Sequence, residues 1–142
     1  MEEKLMFLPE ISDDDKKQAE LFSPLVLAYM GDAVFEVFVR EMLVRKANVQ
    51  VNKLHKRASS IVKAEAQARM IAAIKDELTE KEKSIYKRGR NAKSHTTAKN
   101  ASVSDYRKAT GFEALMGYLY LNGEHKRMTE LMEKAVRTEL EK

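Results

Sequence analysis

The sequence predicts an all-α protein, a compact multi-helix bundle of six or seven helices joined by short connections. Only five of its 142 residues are Gly and two are Pro, whereas Ala, Leu, Glu, Lys and Met, which favour helices, are abundant. Helix start and stop signals recur along the chain, with apolar residues at helical spacing between them. A chain of this length buries one sizeable core, so we expect residues 1–142 to form a single domain.

The N-terminal half carries clear helix-start signals. Ser23 followed by Pro24 is typical of a helix N-terminus, because serine caps the first turn and proline fits the first helical position. We therefore expect the main helix to run from Pro24 to about Lys46. A short opening helix capped by Ser12 precedes it in this interpretation.

A second helical region follows a break around residues 47–51. Asn52 opens it, and apolar residues continue at helical spacing through residue 78. Ser59-Ser60 is either a joint between two helices or a weak spot in one. Thr79 and Glu82 then match the capping-box pattern, which predicts a new helix running to about Arg88.

The segment from Gly89 to Ser104 has almost no large apolar residue and is rich in Ser, Thr, Asn, Lys and Arg. It predicts an exposed loop longer than the usual connection. Such a loop offers many donors to phosphate and ribose oxygens, and a flexible linker is the alternative. We place a further helix from Ser104 or Asp105 to the stop signal Asn122-Gly123, and the last helix from Glu124 to the C-terminus.

Two carboxylates lie within mostly apolar helical stretches. Asp32 occupies the middle of residues 25–40, which are apolar nearly all round, a pattern typical of a helix packed on several sides or shared with a second subunit. Glu113 lies in a similar setting in the predicted helix that ends at Asn122-Gly123. A carboxylate in apolar surroundings is costly unless it is paired, protonated or bound to a cation. The residues alone leave an ion pair and a metal site both open; Mg²⁺ would suit one or two such carboxylates with substrate phosphate.

The charge is segregated along the chain. The net charge is +4, the first 24 residues are acidic, and residues 81–108 are strongly basic, with a second basic patch around Lys53 and Arg57. This asymmetry indicates a nucleic-acid footprint, and a solvated helix surface is the alternative. The loop lacks aromatic residues, so stacking on single-stranded bases is the weaker reading.

The chain has no cysteine, which excludes disulfides and thiolate metal sites. Its hydrophobic runs are shorter than the roughly 20 residues that a membrane helix needs, and its acidic N-terminus is unlike a signal peptide. We therefore expect a cytoplasmic protein with no membrane partner.

Two motifs together resemble the ribonuclease III family. Residues 27–34, LAYMGDAV, are similar to the signature helix of that family, and residues 108–117, KATGFEALMG, are similar to its second acidic motif. The order and separation of the motifs also fit. The layout resembles Mini-III, the short bacterial subfamily, in which a catalytic domain is expected without a C-terminal double-stranded-RNA-binding domain.

The resemblance implies a Mg²⁺-dependent endoribonuclease that cleaves double-stranded RNA as a homodimer and trims the ends of precursor large-subunit (23S) ribosomal RNA. Asp32 and Glu113 would be the catalytic and metal-binding residues. A ribosomal protein that presents the RNA is a further partner left open. Residues expected to bind RNA share a basic or polar side chain in the two basic regions: Lys53, Arg57, Arg88, Arg90, Asn91, Lys93, Ser94, His95 and Lys99.

The sequence departs from the family pattern at two acidic positions, which are Ala28 and Thr110 here. A full four-carboxylate, two-metal site is therefore not expected, although Thr110 could orient a water. Glu36 is more simply a partner for Arg40 at i+4 than a third acid of the site. Two rival functions remain: a non-catalytic ribonuclease III-like RNA-binding protein in ribosome assembly, and a helical protein-interaction module.

Overall fold

A computed structural model describes residue 7 and residues 18–93 and 102–141. Within these residues there are six α-helices, two short 3₁₀ turns and no β-strand, so the all-α prediction is confirmed. The helices are α1 (Pro24–Lys46), α2 (Val51–Val62), α3 (Ala64–Ile74), α4 (Glu80–Asn91), α5 (Val103–Leu121) and α6 (His125–Leu140), with 3₁₀ turns at Ala19–Leu21 and Lys75–Glu77. No helix in the described part is long and apolar enough to cross a bilayer.

Local capping signals set several helix boundaries as predicted. The Ser23 hydroxyl accepts a hydrogen bond from the Val26 N–H at 3.3 Å. Thr79 and Glu82 form the predicted reciprocal capping box at the start of α4. Gly123 ends α5 with a φ of 75°, a left-handed conformation that glycine adopts without steric strain.

Other boundaries differ from the prediction. The joint between α2 and α3 is Lys63, which has extended backbone angles, and not Ser59-Ser60; the Ser60 hydroxyl donates to the Arg57 carbonyl and stays within α2. The capping residue of α5 is Ser102, whose side chain accepts from the Asp105 N–H. The predicted opening helix at Ser12 lies outside the described residues.

The predicted loop also starts later than expected, because α4 continues to Asn91. Gly89 explains the extension: a Cβ on it would lie 2.6 Å from the Ala114 Cβ and 2.9 Å from the Gly111 Cα. The last turn of α4 is thus packed tightly on α5. Residues 94–101 of the predicted loop lie outside the described residues.

Helix α5 forms the centre of the fold and packs against α1, α3, α4 and α6. Its Phe112 is fully buried and meets Phe35 of α1 edge to face, with ring centroids 5.2 Å apart, a favourable aromatic geometry. Burial is distributed over all six helices; the largest fully buried side chains are Phe35, Phe112, Leu27, Ile61, Met70, Ile71, Ile74, Ile85, Leu115, Met116, Leu119 and Leu131.

Helices α1 and α5 cross at two glycines, Gly31 and Gly117. A Cβ on Gly31 would lie 1.7 Å from the Glu113 carbonyl oxygen, and a Cβ on Gly117 would lie 1.9 Å from the Leu27 carbonyl oxygen. Real Cβ atoms do not approach so closely, so the two backbones touch only because both side chains are absent. This crossing brings Asp32, the next residue of α1, beside Glu113 of α5.

We expect Gly31→Ala to destabilise the protein by about 3 kcal/mol or more. Extra methylenes among side chains typically cost about 1–3 kcal/mol, and here the methyl group would meet backbone, which yields less readily. Urea unfolding, monitored by circular dichroism, measures the decrease in the free energy of unfolding. Ala73→Ser adds one atom at an exposed position of α3 and serves as the control. Equal stability of the two variants would contradict the close crossing.

Candidate active site

Asp32 lies on the exposed side of α1, one residue after the buried Gly31. The expectation that Asp32 is embedded in apolar surroundings is wrong. Helix α1 buries mainly one line of residues four apart, which includes Leu27, Gly31 and Phe35, and one residue further along a helix turns the side chain by about 100°. The apolar residues on the other side of α1 are exposed, which the composition of the helix did not reveal.

Glu113 projects from α5 and is partly buried. Its Oε2 atom accepts a hydrogen bond of 3.2 Å from the side-chain amide of Gln67 in α3. Its carboxyl group also faces that of Asp32 closely enough for a hydrogen bond between the two and for repulsion between their charges. Three helices therefore contribute to the site: α1 through Asp32, α3 through Gln67 and α5 through Glu113.

Burial and the charge of Asp32 raise the pKa of Glu113 from 4.5 to about 8, and the amide of Gln67 opposes the shift. Two like charges held together favour a proton or a cation between them. No Lys or Arg of the described residues pairs with Asp32, so within this part of the chain no side-chain cation offsets its charge. The arrangement thus fits a divalent cation with oxygen ligands.

In the described part of the chain, Asp32 and Glu113 are the two acids of this site. Among the residues that the structure describes, no group of three or more His, Cys, Asp or Glu side chains could hold a metal ion together. Ala28, at one of the two positions where the resemblance implies an acid, is buried. Thr110, at the other, donates its hydroxyl proton to the Tyr106 carbonyl at 3.0 Å, so it can only accept a hydrogen bond from a water. A cation here would depend on water and substrate for its remaining ligands.

Glu36 forms the predicted helical pair with Arg40, with 3.4 Å between Oε2 and Nε. It lies one turn beyond Asp32 on the same helix. The pair confirms the simpler interpretation of Glu36. It also makes Glu36 a useful control position, because its carboxylate is close in sequence to the site and already has a partner.

The predicted RNA-binding residues are placed in different surroundings. The Arg88 guanidinium donates to the Glu20 and Phe22 carbonyls at 3.0 and 3.1 Å, so it holds the segment before α1 against α4. Lys53 and Arg57 are exposed, one turn apart on α2. Of the remaining predicted RNA-binding residues, the structure describes Arg90, Asn91 and Lys93. The other three, Ser94, His95 and Lys99, lie outside the described residues.

A basic groove lies between the end of α4 and the start of α5. Its volume is about 360 Å³, and its lining consists of Arg90, Asn91, Val103, Ser104, Arg107 and Lys108. Arg90 also stacks over the Tyr86 ring at 5.7 Å from the centroid. Arg107 and Lys108 were not among the predicted binding residues. Their position in the basic segment 81–108 was the sequence feature that could have indicated a role in RNA binding.

Gln67 was also missed by the sequence analysis. A single glutamine in an alanine-rich helix resembles any polar surface residue, yet this one is buried. Its contact with Glu113 joins residues 46 positions apart. Only the packing of α3 on α5 reveals it.

Comparison with known proteins agrees with the two motifs and the fold. The ribonuclease III domain matches residues 25–124, and the chain therefore belongs to the ribonuclease III family, whose members are endoribonucleases. It is 50% identical to the Mini-ribonuclease 3 of Clostridium tetani, over 89% of this chain and 83% of that protein. It is 48% identical to the Mini-ribonuclease 3 of Thermoanaerobacter sp., over 96% of each chain. The resemblance to the Mini-III subfamily is confirmed.

A solved structure is similar as well. The crystal structure of a protein from Fusobacterium nucleatum superimposes with a TM-score of 0.78 at 28% identity, over 87% of this chain and 98% of the other. The predicted helical ribonuclease III fold is confirmed.

We expect the metal-free protein to lose stability as the pH rises from about 4.5 to about 8. Folding raises the pKa of Glu113 from 4.5 to about 8, so in this range the folded state binds more protons than the unfolded state. Glu113→Gln should remove this contribution. Urea unfolding in EDTA at pH 5 and pH 8.5 measures it as the difference between the native protein and the variant, which cancels the other titrating groups. Identical pH dependence of the two proteins would contradict the raised pKa.

Proposed function

We propose that this protein is a Mg²⁺-dependent endoribonuclease that cleaves double-stranded RNA, with Asp32 and Glu113 as the catalytic and metal-binding residues. The observation that supports it most directly is the facing of these two carboxylates at the closest helix crossing of the fold. Family membership supports the endonuclease class. Membership alone does not say which acids of this chain act; the facing of these two carboxylates supports assigning the role to them.

In this mechanism Asp32 and Glu113 would hold Mg²⁺. When bound there, the ion would supply activation of an attacking water and stabilisation of the charge that develops on the phosphate. Asp32 lies at the surface, where a phosphodiester can approach. Glu113 lies deeper and is restrained by Gln67. The Thr110 hydroxyl oxygen can accept a hydrogen bond from a water, in place of the carboxylate that other family members carry there.

The RNA grip comes from two exposed basic surfaces. One is the groove that Arg90, Arg107 and Lys108 line, to which we add the exposed Lys93, three residues after Arg90. The other is the face of α2 with Lys53 and Arg57. Such side chains bind phosphates and 2′-hydroxyl groups, which is how proteins recognise the shape of an RNA duplex. The substrate that the Mini-III resemblance supports is precursor 23S ribosomal RNA in the cytoplasm, cut at its paired ends.

An exposed apolar stripe on α1 supports a homodimer. Tyr29, Val37 and Val44 are 83, 64 and 58% exposed, and Val26 and Ala33 join them at helical spacing. Exposed apolar stripes on a helix of a water-soluble fold commonly mark a protein interface. A two-fold pairing of α1 helices would cover the stripe and match the dyad of an RNA duplex. Because Ala33 follows Asp32, the interface would border both active sites.

A non-catalytic RNA-binding protein is the second candidate. The presence of Ala28 and Thr110 at two acidic positions of the family favours it, because it leaves two carboxylates where other members have four. The protein-interaction module has no such support. Cleavage itself separates the two remaining candidates.

We expect Asp32→Asn and Glu113→Gln each to reduce Mg²⁺-dependent cleavage of a long RNA duplex by at least about 100-fold, because each removes one of two cation-binding carboxylates. Both should still bind the duplex. A gel assay with and without Mg²⁺ measures cutting, and Glu36→Gln should stay within about twofold of the native rate because it loses only an exposed pair. Binding without cutting by the native protein, on this duplex and on precursor ribosomal RNA, would favour the non-catalytic candidate. Cutting of the naked duplex would show that no presenting ribosomal protein is required.

Arg90→Ala combined with Lys93→Ala should weaken RNA binding and leave the fold intact. Each lost phosphate contact reduces the slope of log affinity against log salt by about 1. Fluorescence anisotropy at several salt concentrations measures both quantities. Arg45→Ala combined with Lys75→Ala removes two exposed charges outside the proposed surfaces and is the matched control. An equal loss of affinity in the two double variants would show a general charge effect and contradict this grip.

Val37→Asp should convert a dimer to a monomer, because the new charge lies in the middle of the apolar stripe and would be buried without a partner. Sedimentation equilibrium should give about twice the 16.3 kDa chain mass for the native protein and the single-chain mass for the variant. Val49→Asp, at another exposed apolar position, should stay dimeric. A native monomer at high concentration would overturn the proposed homodimer.

A further inference from the structure

Gln67 is a buried polar residue whose contacts packing alone does not explain. Its side chain lies on α3 and is only 2% exposed. The amide Nε2 donates to the Val62 carbonyl at 2.8 Å and to the Glu113 carboxylate at 3.2 Å. The amide Oε1 is buried and has no hydrogen-bond partner among the described residues.

The two ends of the Gln67 amide differ: Nε2 donates two hydrogen bonds, whereas Oε1 accepts none from the described residues. A buried acceptor without a partner is unfavourable, so an apolar side chain of similar size would avoid that penalty. The N–H donors are both used. One satisfies Val62, the last residue of α2, whose carbonyl has no partner within its own helix. The other reaches Glu113 and is not needed to cap α2.

We propose that Gln67 is a positioning residue of the active site, whose amide holds Glu113 Oε2 and thereby sets the orientation of that carboxylate toward Asp32 for cation binding. The inference rests on the proposed function. Because Gln67 is anchored at Val62 by the same nitrogen, the joint between α2 and α3 supports the restraint. The site receives a rigid donor from one further helix.

A neutral amide suits this position better than a charged donor. A lysine or arginine would place a positive charge beside Glu113 and repel a divalent cation, whereas an amide restrains the carboxylate and leaves its charge in place. Residues that orient a metal-binding side chain typically change metal affinity by about 10–100-fold when they are replaced.

The test measures Mn²⁺ binding to the RNA-free protein. The electron paramagnetic resonance signal of free Mn²⁺ reports how much of the ion remains unbound. Gln67→Met keeps the length of the side chain and removes both donors. We expect its Kd for Mn²⁺ to rise at least about tenfold, with a matching rise in the Mg²⁺ concentration that half-saturates cleavage. Its affinity for duplex RNA in EDTA should equal that of the native protein. Met70→Leu, a buried change on the same helix, should leave all three measurements unchanged.

The outcomes are distinguishable. If the native protein binds Mn²⁺ and cuts RNA but Gln67→Met has native Mn²⁺ affinity, the positioning role is overturned and the proposed function stands. A parallel loss of RNA affinity in EDTA would show a general distortion and also overturn it. If the native protein neither binds Mn²⁺ nor cuts, the proposed function fails first. If circular dichroism shows that Gln67→Met does not fold, the same measurements are made on Gln67→Leu. If neither variant folds, Gln67 is a structural residue and the inference is wrong.

Discussion

The contact of two helix backbones at Gly31 and Gly117 is the constraint on which the site depends. A single methyl group on either glycine would lie within 2 Å of a carbonyl oxygen of the other helix, so the spacing between α1 and α5 requires glycine at both positions. The next residue along α1 is Asp32, and the residue whose carbonyl touches Gly31 is Glu113. Main-chain packing therefore brings the two carboxylates together, and their mutual repulsion is overcome by the packing of the two helices.

The two acids differ in their surroundings, and that difference gives the site its chemistry. Asp32 is exposed to solvent, whereas Glu113 is partly buried and accepts a hydrogen bond from the Gln67 amide. Burial and the neighbouring charge raise the pKa of Glu113. In the proposed site a bound cation would offset both unfavourable effects, because it would supply a positive charge that no Lys or Arg of the described residues provides to Asp32.

Signals that act within a few residues predicted the fold well. Ser23 with Pro24, the Thr79–Glu82 capping box and Gly123 each set a helix end through local hydrogen bonds or backbone conformation, and those helix ends are found where the sequence indicated. The joint at Lys63 carries no such local signal. Ser59-Ser60 was a misleading candidate for the joint, because serine is tolerated inside a helix when its hydroxyl bonds to the backbone.

The site was only partly predictable for the same reason. The two motifs identified Asp32 and Glu113, but the exposed position of Asp32 depends on which line of α1 meets α5, and α1 is apolar on nearly every side. Gln67 and the groove beside Arg90 arise from contacts between distant parts of the chain, which single-sequence patterns do not contain. Crystals soaked in Mn²⁺ would show whether Asp32 and Glu113 together hold one cation. We expect an anomalous difference peak between the two carboxylates at millimolar Mn²⁺. A peak elsewhere, or none, would contradict it.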